Sequence, residues 1–127
     1  MLEAKLEHVN LTVTDPLKSA KTFSDIFGWH TRWQGEAKDG GMTVHVGEEN
    51  TYLALYTQDK ELEGVKDSYS QKNGLNHLGF VVADLDIVEQ RVRAAGFQPH
   101  HFDDYDPGKR FYFNDHSGLE LEVVCYK

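Results

Sequence analysis

Along Lys5–Asp15, KLEHVNLTVTD, the apolar residues Val9, Leu11 and Val13 alternate with His8, Asn10 and Thr12. A period of two with one apolar and one polar face predicts a strand over Leu6–Val13. Asp15 before Pro16 reads as an N-cap with proline at the first helical position. Ala20, Phe23, Ile26 and Phe27 then recur at helical spacing, and Gly28 is placed to end the helix. Trp29–Gln34, Met42–Val46 and Thr51–Thr57 read as three further strands, the last two joined by the polar GEEN. Gln58–Asn73 is polar, with few apolar anchors, and reads as a linker. The same order then returns. Leu75–Val82 is a strand, Asp84 a cap, and Leu85, Val88, Val92 and Ala95 a helical stripe ended by Gly96. Phe97–Phe102, Arg110–Asn114 and Leu119–Tyr126 are the remaining strands.

The chain therefore reads as two βαβββ copies, about 5–57 and about 74–126, separated by the linker 58–73 and forming a single domain over 1–127. His8 and His77 occupy matched positions at a spacing of 69 residues. The hairpins Gly40–Thr57 and Gly108–Cys125 align without a gap at a spacing of 68. One copy cannot bury both faces of its own sheet, so the two are expected to share a curved sheet with the helices on its apolar side. His8, Asn10, Thr12, His77 and Gly79 then face the opposite, concave side.

Composition narrows the partners. The 127 residues carry 13 basic and 21 acidic side chains, a net charge of −8, which disfavours nucleic acid and anionic membranes as partners. The single cysteine, Cys125, excludes an internal disulfide and fits a reducing cytosol; it reads as a small core residue on the helix side. No apolar run is long enough to span a bilayer, and two Glu lie within Met1–Val9 where a signal peptide has its apolar core. These features predict a cytoplasmic protein.

The last strand adds the chemistry. Leu119, Leu121, Val123 and Cys125 alternate with Glu120, Glu122 and Val124. If the former pack on the helices, Glu122, and with it Glu120, shares the concave side with the histidines. A carboxylate there is costly unless it is paired or coordinated. Two imidazoles and one carboxylate, His8, His77 and Glu122, form a donor set suited to one divalent metal such as Fe, Mn, Zn or Ni.

The segments LEHVNLTVTDP, GLNHLGFVVADL and FYFNDHSGLELEVV, in this order and spacing, resemble the vicinal oxygen chelate superfamily. That superfamily includes glyoxalase I, extradiol dioxygenases, fosfomycin-resistance enzymes and bleomycin-resistance proteins. The resemblance covers Leu6–Tyr126 and implies an α+β fold in which the two βαβββ modules form an incomplete barrel around a concave metal site. It implies metal ligands on the first and fourth strands of each module: His8, His77 and Glu122, with Ala54 at the remaining position. Alanine cannot ligate, so the pattern looks like the three-ligand members more than glyoxalase I. The resemblance further implies a homodimer and a small organic substrate that chelates the metal through adjacent oxygens.

Alternation on the seventh strand sends Arg110 and Tyr112 to the same side as Glu122. Arg110 is placed either to neutralise an anionic substrate or to pair with Asp103, Asp104 or Asp106. Tyr112 is placed either to donate to a metal-bound oxygen or simply to pack in the sheet. In the first copy the same alignment places Met42, Val44, Tyr52, Ala54 and Tyr56 there. His100 and His101 read as solvated edge residues or as a proton shuttle, and His30, His45 and His116 have no role in the repeat. Two functions follow. One is a metal-dependent dioxygenase, lyase or thiol transferase with Tyr112 and Arg110 in the catalytic machinery. The other is a non-catalytic small-molecule binding protein resembling the bleomycin-resistance proteins.

Overall fold

The computed structural model describes residues 3–37 and 40–126. Its elements run β1 (His8–Thr12), α1 (Pro16–Phe27), β2 (His30–Glu36), β3 (Met42–Gly47) and β4 (Tyr52–Thr57). They continue with β5 (Leu78–Val81), α2 (Leu85–Ala94), β6 (His100–Tyr105), β7 (Gly108–Asn114) and β8 (Glu120–Tyr126). Each half is thus βαβββ, and the fold is α+β, as the alternation and helical stripes predict. The hydrogen-bonded ladders make two four-stranded sheets, β1-β4-β3-β2 and β5-β8-β7-β6, rather than the one shared sheet expected. The chain divides into two compact units, Met1–Leu62 and Glu63–Lys127.

The helix starts follow the sequence signals closely. The Asp15 carboxylate accepts from the Lys18 amide at 3.1 Å, and Asp84 accepts from Ile87 at 3.2 Å, so each N-cap satisfies an otherwise orphaned amide. Gly28 ends α1 with φ of 72°, and Gly96 takes φ of 92° just past α2, both in the left-handed region where a side chain is strained. Val88 and Val92 of α2 are buried, whereas Ala95 lies in the exposed cap. The predicted strand Phe97–Phe102 starts later, at His100. A bulge between His100 and Asp103 puts His101 at φ of 52° and carries the strand on to Tyr105.

Register decides which side chains share a face. In the first unit β4 pairs with parallel β1 and antiparallel β3, so that Ala54 lies opposite both Asn10 and His45, and Leu55 opposite Leu11 and Val44. Val44, Val46 and Leu55 are fully buried and form the apolar face with Phe23 and Ile26 of α1. In the second unit Glu122 lies opposite Gly79 and Tyr112, while Leu121 and Val123 lie opposite Phe113 and Phe111 on the buried face.

These registers overturn the gapless alignment of the two hairpins. The β3–β4 loop joins the paired residues Gly47 and Tyr52, whereas the β7–β8 loop joins Asn114 and Glu120 and is one residue longer. Gly118, at φ of 89°, and Asp115 accommodate the extra residue. The Asp115 Oδ1 accepts from the Ser117 amide and hydroxyl and from the Leu119 amide at 2.7–3.0 Å. The spacing is therefore 68 at Ala54 and Glu122 but 67 on the preceding strands. His45, not Val44, is the counterpart of Tyr112, and Thr43, not Met42, that of Arg110. Met42 and Val44 belong to the helix side.

This register predicts opposite outcomes for adjacent substitutions. Val44→Asp buries a carboxylate in the core and should cost about 3 kcal/mol or more of unfolding free energy. Thr43→Asp, on the other face, should cost about 1 kcal/mol at most. Urea denaturation of the two variants checks it, and equal losses would contradict the register.

Candidate functional site

In the second unit, the face of the sheet opposite the buried apolar positions gathers three side chains around one carboxylate. Tyr112 and Arg110 on β7 and Glu122 on β8 are brought together by the antiparallel register, and His77 immediately precedes β5 rather than lying on it. The Tyr112 hydroxyl donates to Glu122 Oε2 at 2.7 Å, and Arg110 Nη1 donates to the same oxygen at 3.1 Å. Glu122 Oε1 lies 3.9 Å from His77 Nε2, beyond hydrogen-bond length. Both Glu122 and Arg110 are largely covered, with side chains 13% and 12% exposed, so neither charge is screened by bulk water. Gly79, paired with Glu122, leaves the carboxylate its space: a Cβ there would sit 3.4 Å from Oε1.

The environment favours the protonated forms of Tyr112 and Arg110. Burial and the bond to Glu122 push the Tyr112 phenol up to about 12, so at neutral pH it holds its proton and donates it. Burial is the largest single influence on Arg110 and acts against its charge, but the hydrogen bond to Glu122 and the charge attraction of Tyr105, Glu122 and Tyr112 together leave the guanidinium pKa above its ordinary value. The Arg110 Cζ also lies 4.6 Å from the Tyr105 ring centroid. Arg110 is thus paired with Glu122; Asp103 is its neighbour in strand register only.

The linker contributes a residue that periodicity does not reveal. Tyr69 donates to Glu120 Oε2 at 2.8 Å, and its hydroxyl lies 3.4 Å from His77 Nδ1. His100 and His101 are not freely solvated. Their Nδ1 atoms are in contact, His100 Nε2 meets Asn114 Oδ1 at 2.8 Å, and both rings lie within 6.4 Å of Tyr112. Cys125 is half-buried, with its sulfur 3.5 Å from the Ala83 carbonyl oxygen.

The first unit has a different assembly on the matching face. His8 stacks on Tyr52 at 4.9 Å, Tyr52 lies 4.7 Å from His45, and His45 lies 5.1 Å from Trp33. Arg32 sits 4.6 Å above the Tyr52 ring. His8 Nδ1 meets Glu7 Oε1 at 3.0 Å. Burial, followed by the neighbouring His8 and Arg32, holds the His45 imidazole below its ordinary range, with Glu7 acting the other way. Ala54 occupies the Glu122 position and is buried. Within the second unit, then, His77, Glu122, Tyr112 and Arg110 come together as the pattern predicts, while His8 and Ala54 belong to the first. Among the described residues, no group of three His, Cys, Asp or Glu side chains is placed to hold a metal ion, and no helix is long and apolar enough to cross a membrane.

Residues 5–123 match the family model of the Glyoxalase/Bleomycin resistance protein/Dioxygenase superfamily. No curated protein matches the chain. Among solved structures, the glyoxylase/bleomycin resistance protein/dioxygenase domain from Frankia sp. EAN1pec is similar, with a TM-score of 0.84 and 24% identity over 99% of this chain and 100% of that one. The fosfomycin resistance protein FosX from Listeria monocytogenes gives 0.75 and 17% identity over 99% and 96%. A variant of that protein, solved with Mn(II) and 1S,2S-dihydroxypropylphosphonic acid, gives 0.73 and 17% over 97% and 93%. The chain belongs to the Glyoxalase/Bleomycin resistance protein/Dioxygenase superfamily.

The Tyr112–Glu122 bond predicts a pH signature. Because the folded phenol has a pKa of about 12 against an ordinary 10.0, its contribution to stability is complete below pH 10 and lost as pH rises toward 12. Tyr112→Phe should therefore cost about 1.5 kcal/mol at neutral pH. Denaturation at pH 8, 10 and 11 should show that difference shrinking only above pH 10; a difference independent of pH would argue against the bond.

Proposed function

We propose that this member of the superfamily binds one divalent metal through His8, His77 and Glu122 and uses it to act on a small organic molecule with adjacent oxygens. The observation that carries this reading is the disposition of Glu122. Tyr112 and Arg110 both hold Oε2, leaving Oε1 turned toward His77 Nε2 at a separation too long for a hydrogen bond. The donor set also fits: His8 and His77 each engage another group through Nδ1, which leaves Nε2 as the free nitrogen in both. When bound, the metal would supply Lewis acidity toward substrate oxygens. The chain's own part is to hold a proton on Tyr112 for donation, to neutralise negative charge with Arg110, and to keep Glu122 in one orientation. Mn(II) bound to a FosX of the same fold supports a divalent metal for this chain. The proposed working form is a cytoplasmic homodimer, with His8 supplied by the same chain or by a second copy.

A non-catalytic binding protein is the second reading, and Arg110 favours it. The guanidinium already satisfies the Glu122 charge, so the carboxylate is stable without a metal. In that case the second-unit face is a self-neutralising ion pair, and the neighbouring aromatic rings would receive an organic ligand without chemistry.

Titration of chelator-treated protein with Mn(II), Zn(II), Ni(II) and anaerobic Fe(II), followed by elemental analysis, separates the two. The enzyme reading expects one tightly held metal per chain, with affinity reduced by about 100-fold or more in His77→Ala and Glu122→Gln. Metal that stays far below one per chain, or binding unchanged in both variants, would reject the ligand assignment and leave the binding-protein reading.

A further inference from the structure

The two histidines differ in what stands behind them. His8 has the carboxylate of the residue before it, Glu7, at 3.0 Å from Nδ1. At the matched position before His77 the chain has Asn76, so the repeat withholds the acid there. The linker fills the gap. Tyr69 places its hydroxyl 3.4 Å from His77 Nδ1, and Glu120 on β8 takes the hydroxyl proton at 2.8 Å.

The segment that presents Tyr69 is a built turn. The Asp67 carboxylate accepts from the Tyr69 amide at 3.0 Å and from the Ser70 hydroxyl at 2.8 Å, and the Asp67 amide donates to the Gln71 side chain at 3.1 Å. Main-chain bonds from Gln71 to Asp67 and from Gly74 to Gln71 close it. Gly74 is required for the return, because a Cβ there would collide with the Ser68 carbonyl oxygen. A turn tied at this many points holds its aromatic side chain in place at little further entropic cost.

We propose that Tyr69 is the positioning residue for His77, with Glu120 behind it, doing for the second histidine what Glu7 does for the first. A carboxylate only accepts, so Glu120 commits the single hydroxyl proton of Tyr69. Toward His77 the hydroxyl oxygen is then an acceptor, and Nδ1 must carry the hydrogen. His77 is held as the Nδ1–H tautomer, its lone pair on Nε2, the nitrogen that faces Glu122. The use of that lone pair rests on the metal reading above; the tautomer does not.

The test uses full-length, metal-free protein labelled with 15N at histidine. Long-range 1H–15N spectra, with His77 identified from His77→Ala, should show the Nδ1–H tautomer in the parent protein. In Tyr69→Phe, which keeps the ring and the turn, His77 should shift predominantly to the Nε2–H tautomer while the thermal midpoint stays put. Asp67→Ala, which loosens the turn but keeps the hydroxyl, should shift it part of the way. An unchanged tautomer in Tyr69→Phe, or an Nε2–H tautomer already present in the parent, overturns the proposal. A parallel Zn(II) titration should show Tyr69→Phe binding about 10- to 100-fold more weakly than the parent. If neither protein binds metal, the metal reading fails and the tautomer still decides the role of Tyr69.

Discussion

Each unit hangs on the parallel pairing of its first strand with its last, β1 with β4 and β5 with β8. Parallel neighbours cannot be joined by a tight turn and need a long crossover, which here consists of a helix and two antiparallel strands. The last strand thereby acquires a partner on each side. Its alternate residues are fixed between two registers at once: Leu53, Leu55, Leu121 and Val123 go into the core, while Ala54 and Glu122 go to the other face. Glu122 is oriented by the strand before any side chain touches it.

What surrounds Glu122 follows from its cost. A carboxylate this well covered must be compensated, and β7 provides a phenol that keeps its proton and a guanidinium that keeps its charge. Both bonds fall on one oxygen, so the compensation leaves the other oxygen available. The first unit shows the converse. With Ala54 in place of the acid, the matching β3 positions carry Thr43 and His45 in place of Arg110 and Tyr112. His45 there is held below its ordinary range by burial and by His8 and Arg32, which Glu7 offsets only in part.

The sequence pattern made the eight strands, both helices and their caps legible because each rests on local periodicity and short-range hydrogen bonds. The gathering of Glu122, Tyr112 and Arg110 was legible for the same reason, since parity along β7 and β8 determines it, and the repeat placed His77 beside them. Parity also explains the error at Met42 and Val44. A loop one residue longer exchanges the two faces of the strand before it, and neither GEEN nor NDHSG advertises its own register. Tyr69 was hidden for another reason. Its partner Glu120 lies 51 residues away, and a polar segment without periodicity gives no sign of which side chain reaches back to the sheet.

The corrected register also shows where the two copies have diverged. On the helix side the pairs are apolar for apolar: Val44 with Phe111, Val46 with Phe113, Leu53 with Leu121, Leu55 with Val123. On the opposite face the chemistry changes at each position: Thr43 against Arg110, His45 against Tyr112, Tyr52 against Glu120, Ala54 against Glu122. Stability constrains the first set, because each side chain must fill a core of fixed volume. The second set is free of that demand, so its differences need a cause other than folding. One unit presents stacked rings and imidazoles, the other a carboxylate with a donor and a cation. Two copies of one module therefore offer two unlike surfaces.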